Sequence, residues 1–314
     1  MGKANKKIWF GGEDNFIRSY EKSQVVVLPL PYEKTTTYQK GTKKGPRAIL
    51  EASENMELYD EEFDWEIFKI GIYTLSPMKI TVKKPESAMK QIEKKVAHII
   101  KEKKLPVLLG GEHTLTVGAV SAFKKIYKKL TVVQLDAHAD LRDEYLGSRF
   151  NHACTMARVS ELYPVVQIGI RSMSAEEGSI IRGKSGPVNK SPLMYRWRGR
   201  RENWILFASD MTEPAWIRNI LAKIDGPVYL TIDLDYFDPS VMPAVGTPEP
   251  GGLQWHPTLH FLKRLSKKTR IVGFDLVELC PRAKNPASDF LAAKLAYKLI
   301  GYIFYDDARN ADRS

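Results

Sequence analysis

Short apolar, β-branched runs alternate with stretches of helical period along nearly the whole chain. The runs are VVVLPL from Val25, FKIGIY from Phe68, PVLLG from Pro106, LTVVQL from Leu130, VVQIGI from Val165, WILFA from Trp204, VYLTI from Val228 and RIVGF from Arg270. Amphipathic stretches lie between them, at residues 87–104, 114–129 and 213–224. A last helix is predicted after Asn285-Pro286, where proline suits a first turn, running to about Phe304. A strand covered by helices on both faces shows no polar alternation, so unbroken apolar runs predict a parallel sheet buried on both sides. Strands and helices alternating from end to end predict a single doubly wound α/β domain over residues 1–314. Residues 1–23 form an N-terminal extension ahead of the first run. Residues 183–203, GKSGPVNKSPLMYRWRGRREN, are polar, basic and turn-rich and read as a long excursion between the fifth and sixth runs.

Composition narrows the class. Hydrophobic residues make up 43% of the 314, enough for a sizeable core. No run approaches the ~18 uncharged apolar residues of a membrane span. MGKANKKIWF lacks the apolar stretch and cleavage site of a signal peptide, and Cys154 and Cys280 alone make no disulfide framework, so a reducing cytoplasm is expected. The formal net charge is +11, which raises the question of nucleic acid. The lysines, however, come in pairs such as Lys103-Lys104, Lys124-Lys125 and Lys128-Lys129, within or beside predicted helices and without interleaved aromatics. That pattern is a solvated surface, and neither a nucleic-acid nor a membrane partner is expected.

Open α/β sheets bind ligands at the carboxyl ends of their strands. Gly111-Glu112-His113 follows PVLLG. Asp136, His138 and Asp140 follow VVQL, Asp233, Asp235 and Asp238 follow YLTI, and Asp275 and Glu278 follow VGF. Asp238 precedes Pro239 and reads as a turn residue. In an extended segment residues i, i+2 and i+4 project to one side, so Asp136, His138 and Asp140 can converge on one centre, and Asp233 and Asp235 repeat the spacing. Two imidazoles and four carboxylates exceed what one ion with an open position needs, and they suit two ions with bridging carboxylates. So many anions could not stay ionised together without cations. Oxygen-rich ligation with some imidazole favours a hard ion such as Mn²⁺.

The segments GGEH (110–113), DAHAD (136–140) and TIDLDYFDPS (231–240) resemble the ureohydrolases, the arginase–agmatinase family, as do GTKKGPRAI (41–49) and GTPEPGG (246–252). The resemblance spans about residues 24 to 300. It implies a three-layer αβα domain on an eight-stranded, mostly parallel sheet, which matches the eight runs. It also implies two Mn²⁺ ions per chain. His113, Asp136, Asp140 and Asp233 would hold one, and His138, Asp136, Asp233 and Asp235 the other, with Asp136 and Asp233 bridging. By the same resemblance Asp140 orients a metal-bridging hydroxide, Glu278 binds the guanidinium, and His152 in FNHAC shuttles a proton to the leaving amine. An ordinary imidazole pKa would suit that last role at neutral pH.

LRDEYLGSRFNHAC after Asp140 is of the agmatinase style, which implies hydrolysis of agmatine to putrescine and urea. Other guanidino compounds (aminopropylagmatine, 4-guanidinobutyrate, arginine) are the alternatives. Asp143 and Glu144 against the single Arg142 favour a cationic substrate tail, with the two acids as its contacts. Family members are commonly trimers or hexamers, so a homo-oligomer is expected.

Overall fold

Each of the eight apolar runs supplies a strand. The computed structural model describes residues 7–183, 192–212 and 215–311, with side chains of the last helix up to residue 304. The beginning of the N-terminal extension (1–6), part of the basic excursion (184–191) and the predicted start of the 213–224 helix lie outside the described residues. In chain order the strands are β1 (Val25–Leu30), β2 (Tyr59–Asp60), β3 (Trp65–Glu66), β4 (Ile72–Thr74), β5 (Leu105–Gly110), β6 (Thr131–Leu135), β7 (Val165–Ile170), β8 (Leu193–Tyr195), β9 (Asn203–Phe207), β10 (Val228–Asp233) and β11 (Ile271–Val277). β2 and β3 pair as a small antiparallel ribbon, and the other nine form one sheet in the order β4-β1-β5-β11-β10-β6-β7-β9-β8. Every pairing in that sheet is parallel except β8 with β9.

Among the described residues the sheet therefore has nine strands, one more than expected, and the ninth comes from the excursion. Leu193 and Tyr195 are buried while Met194 between them is 43% exposed. This is the alternation of a short edge strand, covered on one face only, and it leaves no continuous apolar run to read. Tyr195 anchors the strand by donating its hydroxyl to Gln167 Oε1 at 2.6 Å.

The helices are α1 (Gly45–Ser53), α2 (Pro85–Lys101), α3 (Leu115–Phe123), α4 (Thr155–Ser160), α5 (Ala175–Arg182), α6 (Trp216–Leu221), α7 (Trp255–Lys268) and α8 (Ala287–Ala311). Apolar residues of α1, α6, α7 and α8 share one core with Val25 and Val27 of β1. Those of α2 to α5 share a second core with Val26, Leu28 and Leu30 of the same strand. Successive side chains of a strand thus enter opposite cores, and each Val, Leu or Ile contributes about 1.5–3 kcal/mol by burial. That is why β1 carries no polar position. Among the described residues no helix is long and apolar enough to cross a membrane.

The order β5-β11-β10-β6 places side by side the four strands after which the candidate ligands come. The approach at β5 is tight. Gly111 N donates to Leu30 O at 3.0 Å and Glu112 N to Tyr32 O at 2.9 Å, so the loop after β1 lies directly on Gly111. A Cβ there would sit 2.0 Å from Tyr32 O, a backbone atom that cannot swing aside. Gly111→Ala is expected to destabilise the fold by about 1–3 kcal/mol through overpacking, read as a lower urea midpoint. An unchanged midpoint would show that the loop yields freely.

Candidate metal centre

His113 lies three residues past β5, just before α3, and its ring is 1% exposed. Its Nδ1 stands 3.1 Å from Asp136 Oδ2, 3.1 Å from Asp140 Oδ2 and 3.4 Å from Asp233 Oδ2. It makes a directed hydrogen bond to none of them and is left without a partner. His138 presents Nδ1 to Asp235 Oδ2 at 2.9 Å and to Asp136 Oδ1 at 3.6 Å. Two groups follow, His113 with Asp136 and Asp140, and Asp136 with His138 and Asp235, and Asp136 belongs to both. Its two oxygens face opposite ways, Oδ2 toward His113 and Oδ1 toward His138.

The two-residue spacing works differently at each position. Asp136 directly follows β6, and His138 continues it through an isolated parallel bridge to Ser172. Asp140 does not simply extend the strand. Its φ of 53° turns the chain back, a left-handed conformation that Asp tolerates better than most residues. Asp233 ends β10, and its Oδ1 accepts from Asp235 N at 3.0 Å, holding a one-turn 3₁₀ helix that brings Asp235 to the same centre.

Behind these residues lies a layer that orients them. His113 Nε2 sits 2.9 Å from Thr231 Oγ1, and Thr231 donates to Asp275 Oδ1 at 2.6 Å. Asp275 also accepts from Tyr229 and Thr116 at 2.7 and 3.0 Å. The threonine proton is committed to a carboxylate, so Nε2 of His113 carries a hydrogen toward Thr231 and Nδ1 is the nitrogen that faces the centre. Asp275, expected at a strand end with Glu278, instead lies inside β11 and serves from beneath. Asp136 is fixed likewise, accepting from Gln134 Nε2 and from His138 N, each at 2.6 Å.

The donor set fits cations. Burial pushes the Asp140 carboxyl up to about 7, helped by the charge of Asp136. Burial, then Asp235 and Asp136, push Asp233 well above the usual carboxylate range. Burial alone would lower His138, but Asp235 and Asp136 outweigh it and push it up to about 12. Without ions, this cluster must take up protons to balance its charge. An orphaned buried imidazole nitrogen facing three carboxylate oxygens is what a metal ligand looks like before its ion.

A cavity of about 270 Å³ opens over the cluster, lined by His113, His138, Asp140, Asp233, Asp235, His152 and Glu278 among others. Glu278 follows β11 with φ 64°, and its Oε1 accepts from His113 N at 2.7 Å. Burial and the neighbouring Glu112 hold its carboxyl well above the usual range. His152 also lines the cavity, but its expected ordinary pKa is not what the structure gives. Burial, and then the charges of His138 and His113, push it down to about 4, so it rests as a neutral base.

Asp143 and Glu144 do not line the cavity. Asp143 Oδ1 accepts from Arg158 Nη2 at 2.6 Å and from Arg149 Nη2 at 3.3 Å, and its Oδ2 pairs with Arg198 at the edge of the excursion. Arg158 is nearly buried, and a buried guanidinium claims the nearest carboxylate, so Asp143 is turned away from the centre. Glu144 is exposed. Arg142, which does line the cavity, stacks over Tyr145 at 4.6 Å and stands 4.0 Å from Glu177.

The family model described as Arginase family matches residues 23–301. The chain is 42% identical over 299 residues to the N(1)-aminopropylagmatine ureohydrolase of Synechocystis sp., with 92% of each chain covered. It is 34% identical over 278 residues to the agmatinase of Pyrococcus horikoshii, covering 88% of this chain and 90% of that one. Among solved structures, the agmatine ureohydrolase of Thermoplasma volcanium matches with a TM-score of 0.81 at 30% identity, over 96% of this chain and 97% of the other.

Proposed function

The chain belongs to the arginase family and is a metal-dependent hydrolase of guanidino groups; from that premise we propose that it converts a guanidino compound with a cationic polyamine tail, N(1)-aminopropylagmatine or agmatine, to urea and the free amine. The observation that carries the reading is the paired cluster sharing Asp136, with Glu278 beside it in the same cavity. Two Mn²⁺ ions per chain complete the proposal. His113, Asp136, Asp140 and Asp233 would hold one and His138, Asp136, Asp233 and Asp235 the other. When bound, such ions lower the pKa of water and supply a nucleophile at neutral pH.

The side chains do the rest. Glu278 pairs its carboxylate with two guanidinium N–H groups in fork geometry and so fixes the carbon to be attacked. Asp140 lines the same cavity, and its carboxylate can accept a hydrogen bond there. His152 rests unprotonated, takes up a proton released in the attack and delivers it to the leaving nitrogen.

A cationic tail is supported not by Asp143 and Glu144 but by Arg142, whose charge is engaged by Glu177 and Tyr145 and so is poorly placed to bind a carboxylate tail. The Tyr38 ring at the cavity can accept an ammonium on its face. The longer tail is favoured because the 42% identical relative bears the name of the aminopropyl substrate. In a urea-release assay with Mn²⁺, kcat/KM for aminopropylagmatine is expected to exceed that for agmatine by roughly 10-fold, about 1.4 kcal/mol. Both should exceed arginine and 4-guanidinobutyrate. Preference for either acid overturns the tail argument, and no urea from any of the four overturns the function.

A further inference from the structure

We propose that Glu112 and Thr35 form a relay that fixes the tautomer and orientation of His152, which makes Thr35 a positioning residue for proton transfer. The inference rests on the reading of His152 as proton carrier, but its geometry stands apart from it. Thr35 belongs to the loop after β1, and 117 positions separate it from His152. Its Oγ1 accepts from His152 N at 3.0 Å and lies 3.2 Å from His152 Nδ1. On its other side it lies 2.9 Å from Glu112 Oε1.

The hydroxyl has one proton and Glu112 decides where it goes. Glu112 is fully buried and every contact it makes is with a donor: Thr35 N at 2.6 Å and Lys34 N on Oε2, Thr114 Oγ1 at 2.9 Å and Thr35 Oγ1 on Oε1. A carboxylate only accepts, so the Thr35 proton points to Glu112 and the remaining lone pairs of Oγ1 accept. His152 must then carry its hydrogen on Nδ1, and Nε2 is the free nitrogen of a ring that lines the cavity. The edge of Tyr145, with ring centroids 6.4 Å apart, backs the imidazole. During transfer Nε2 gains a proton and gives it to the leaving amine, while Nδ1–H stays on Thr35 and the Thr35 proton stays on Glu112. The relay itself neither gains nor loses a proton. Glu112 adjoins His113, so one peptide unit links the metal cluster to the placement of the proton carrier.

The test uses full-length protein with ¹⁵N-labelled histidine, loaded with diamagnetic Mg²⁺, the His152 signals being identified by their loss in His152→Asn. Wild type is expected to show Nδ1 protonated and Nε2 bare. Thr35→Val, nearly isosteric, should shift population to the Nε2–H tautomer, and Thr35→Ser should keep the wild-type state. With Mn²⁺, Thr35→Val should lower kcat roughly 10- to 100-fold, the scale seen for outer-layer partners, with KM within about 3-fold and metal content unchanged. Thr35→Ser should recover most of the rate. Wild type protonated on Nε2 overturns the relay, as does a Val variant with an unchanged tautomer or a Ser variant as impaired as Val. If wild type hydrolyses none of the four guanidino compounds, the functional reading fails and the tautomer comparison still decides the relay.

Discussion

Asp136→Ala is expected to release both metal ions and to lower kcat/KM by roughly 10⁴-fold or more, about 5.4 kcal/mol of barrier at ~1.36 kcal/mol per tenfold. The reason is its place in the cluster. Its Oδ2 faces His113 at 3.1 Å and its Oδ1 faces His138 at 3.6 Å, so one truncation removes an oxygen from each group. A change at Asp235, which faces His138 alone among the two imidazoles, should spare the ion at His113. Metal analysis after gel filtration checks the count. Stability gives a second measurement, since an ion held by the folded state alone stabilises it by about 2.7 kcal/mol per site at 100 times its Kd. Wild type should melt higher with Mn²⁺ and Asp136→Ala should not. Two ions retained in Asp136→Ala would sink the shared-ligand assignment.

Glu278→Gln should lower kcat/KM by about 2–5 kcal/mol, the cost of breaking a buried hydrogen-bonded charge pair, or roughly 30- to 5,000-fold. Metal content should stay the same. Glutamine fills the same volume and can still accept from His113 N through its carbonyl oxygen, so the loop beyond β5 keeps its shape. What is lost is the second acceptor and the negative charge that a guanidinium requires. Near-wild-type kcat/KM for Glu278→Gln would mean that another group grips the guanidinium, whereas metal loss would place Glu278 in the metal cluster itself.

The eight apolar runs were legible because each strand is buried on both faces and so carries its own signal. β8 was not, because Leu193–Tyr195 is an edge strand of three residues whose partner, β9, lies across the excursion. The six metal-ligating candidates could be read from three segments, since strand ends and two-residue spacing are local properties. That Asp143 and Glu144 stand outside the cavity is not legible in the same stretch, because local charge does not reveal the competing partner. Arg158 and Arg198, 15 and 55 positions away, claim Asp143.

The sequence by itself determined the fold class, the strand ends and the chemical character of the centre. Each of these depends on residue type and on spacing along one segment. Only the tertiary structure decided which oxygens of Asp136 face which imidazole, that Asp140 turns back at φ 53°, that Asp275 supports His113 through Thr231, and that Thr35 and Glu112 hold His152. The supports of His113 and His152 are hydrogen bonds between strands and loops 44 to 118 positions apart. A hydrogen bond forms or fails over a few tenths of an ångström, and no sequence spacing fixes distances on that scale until the sheet has set its register.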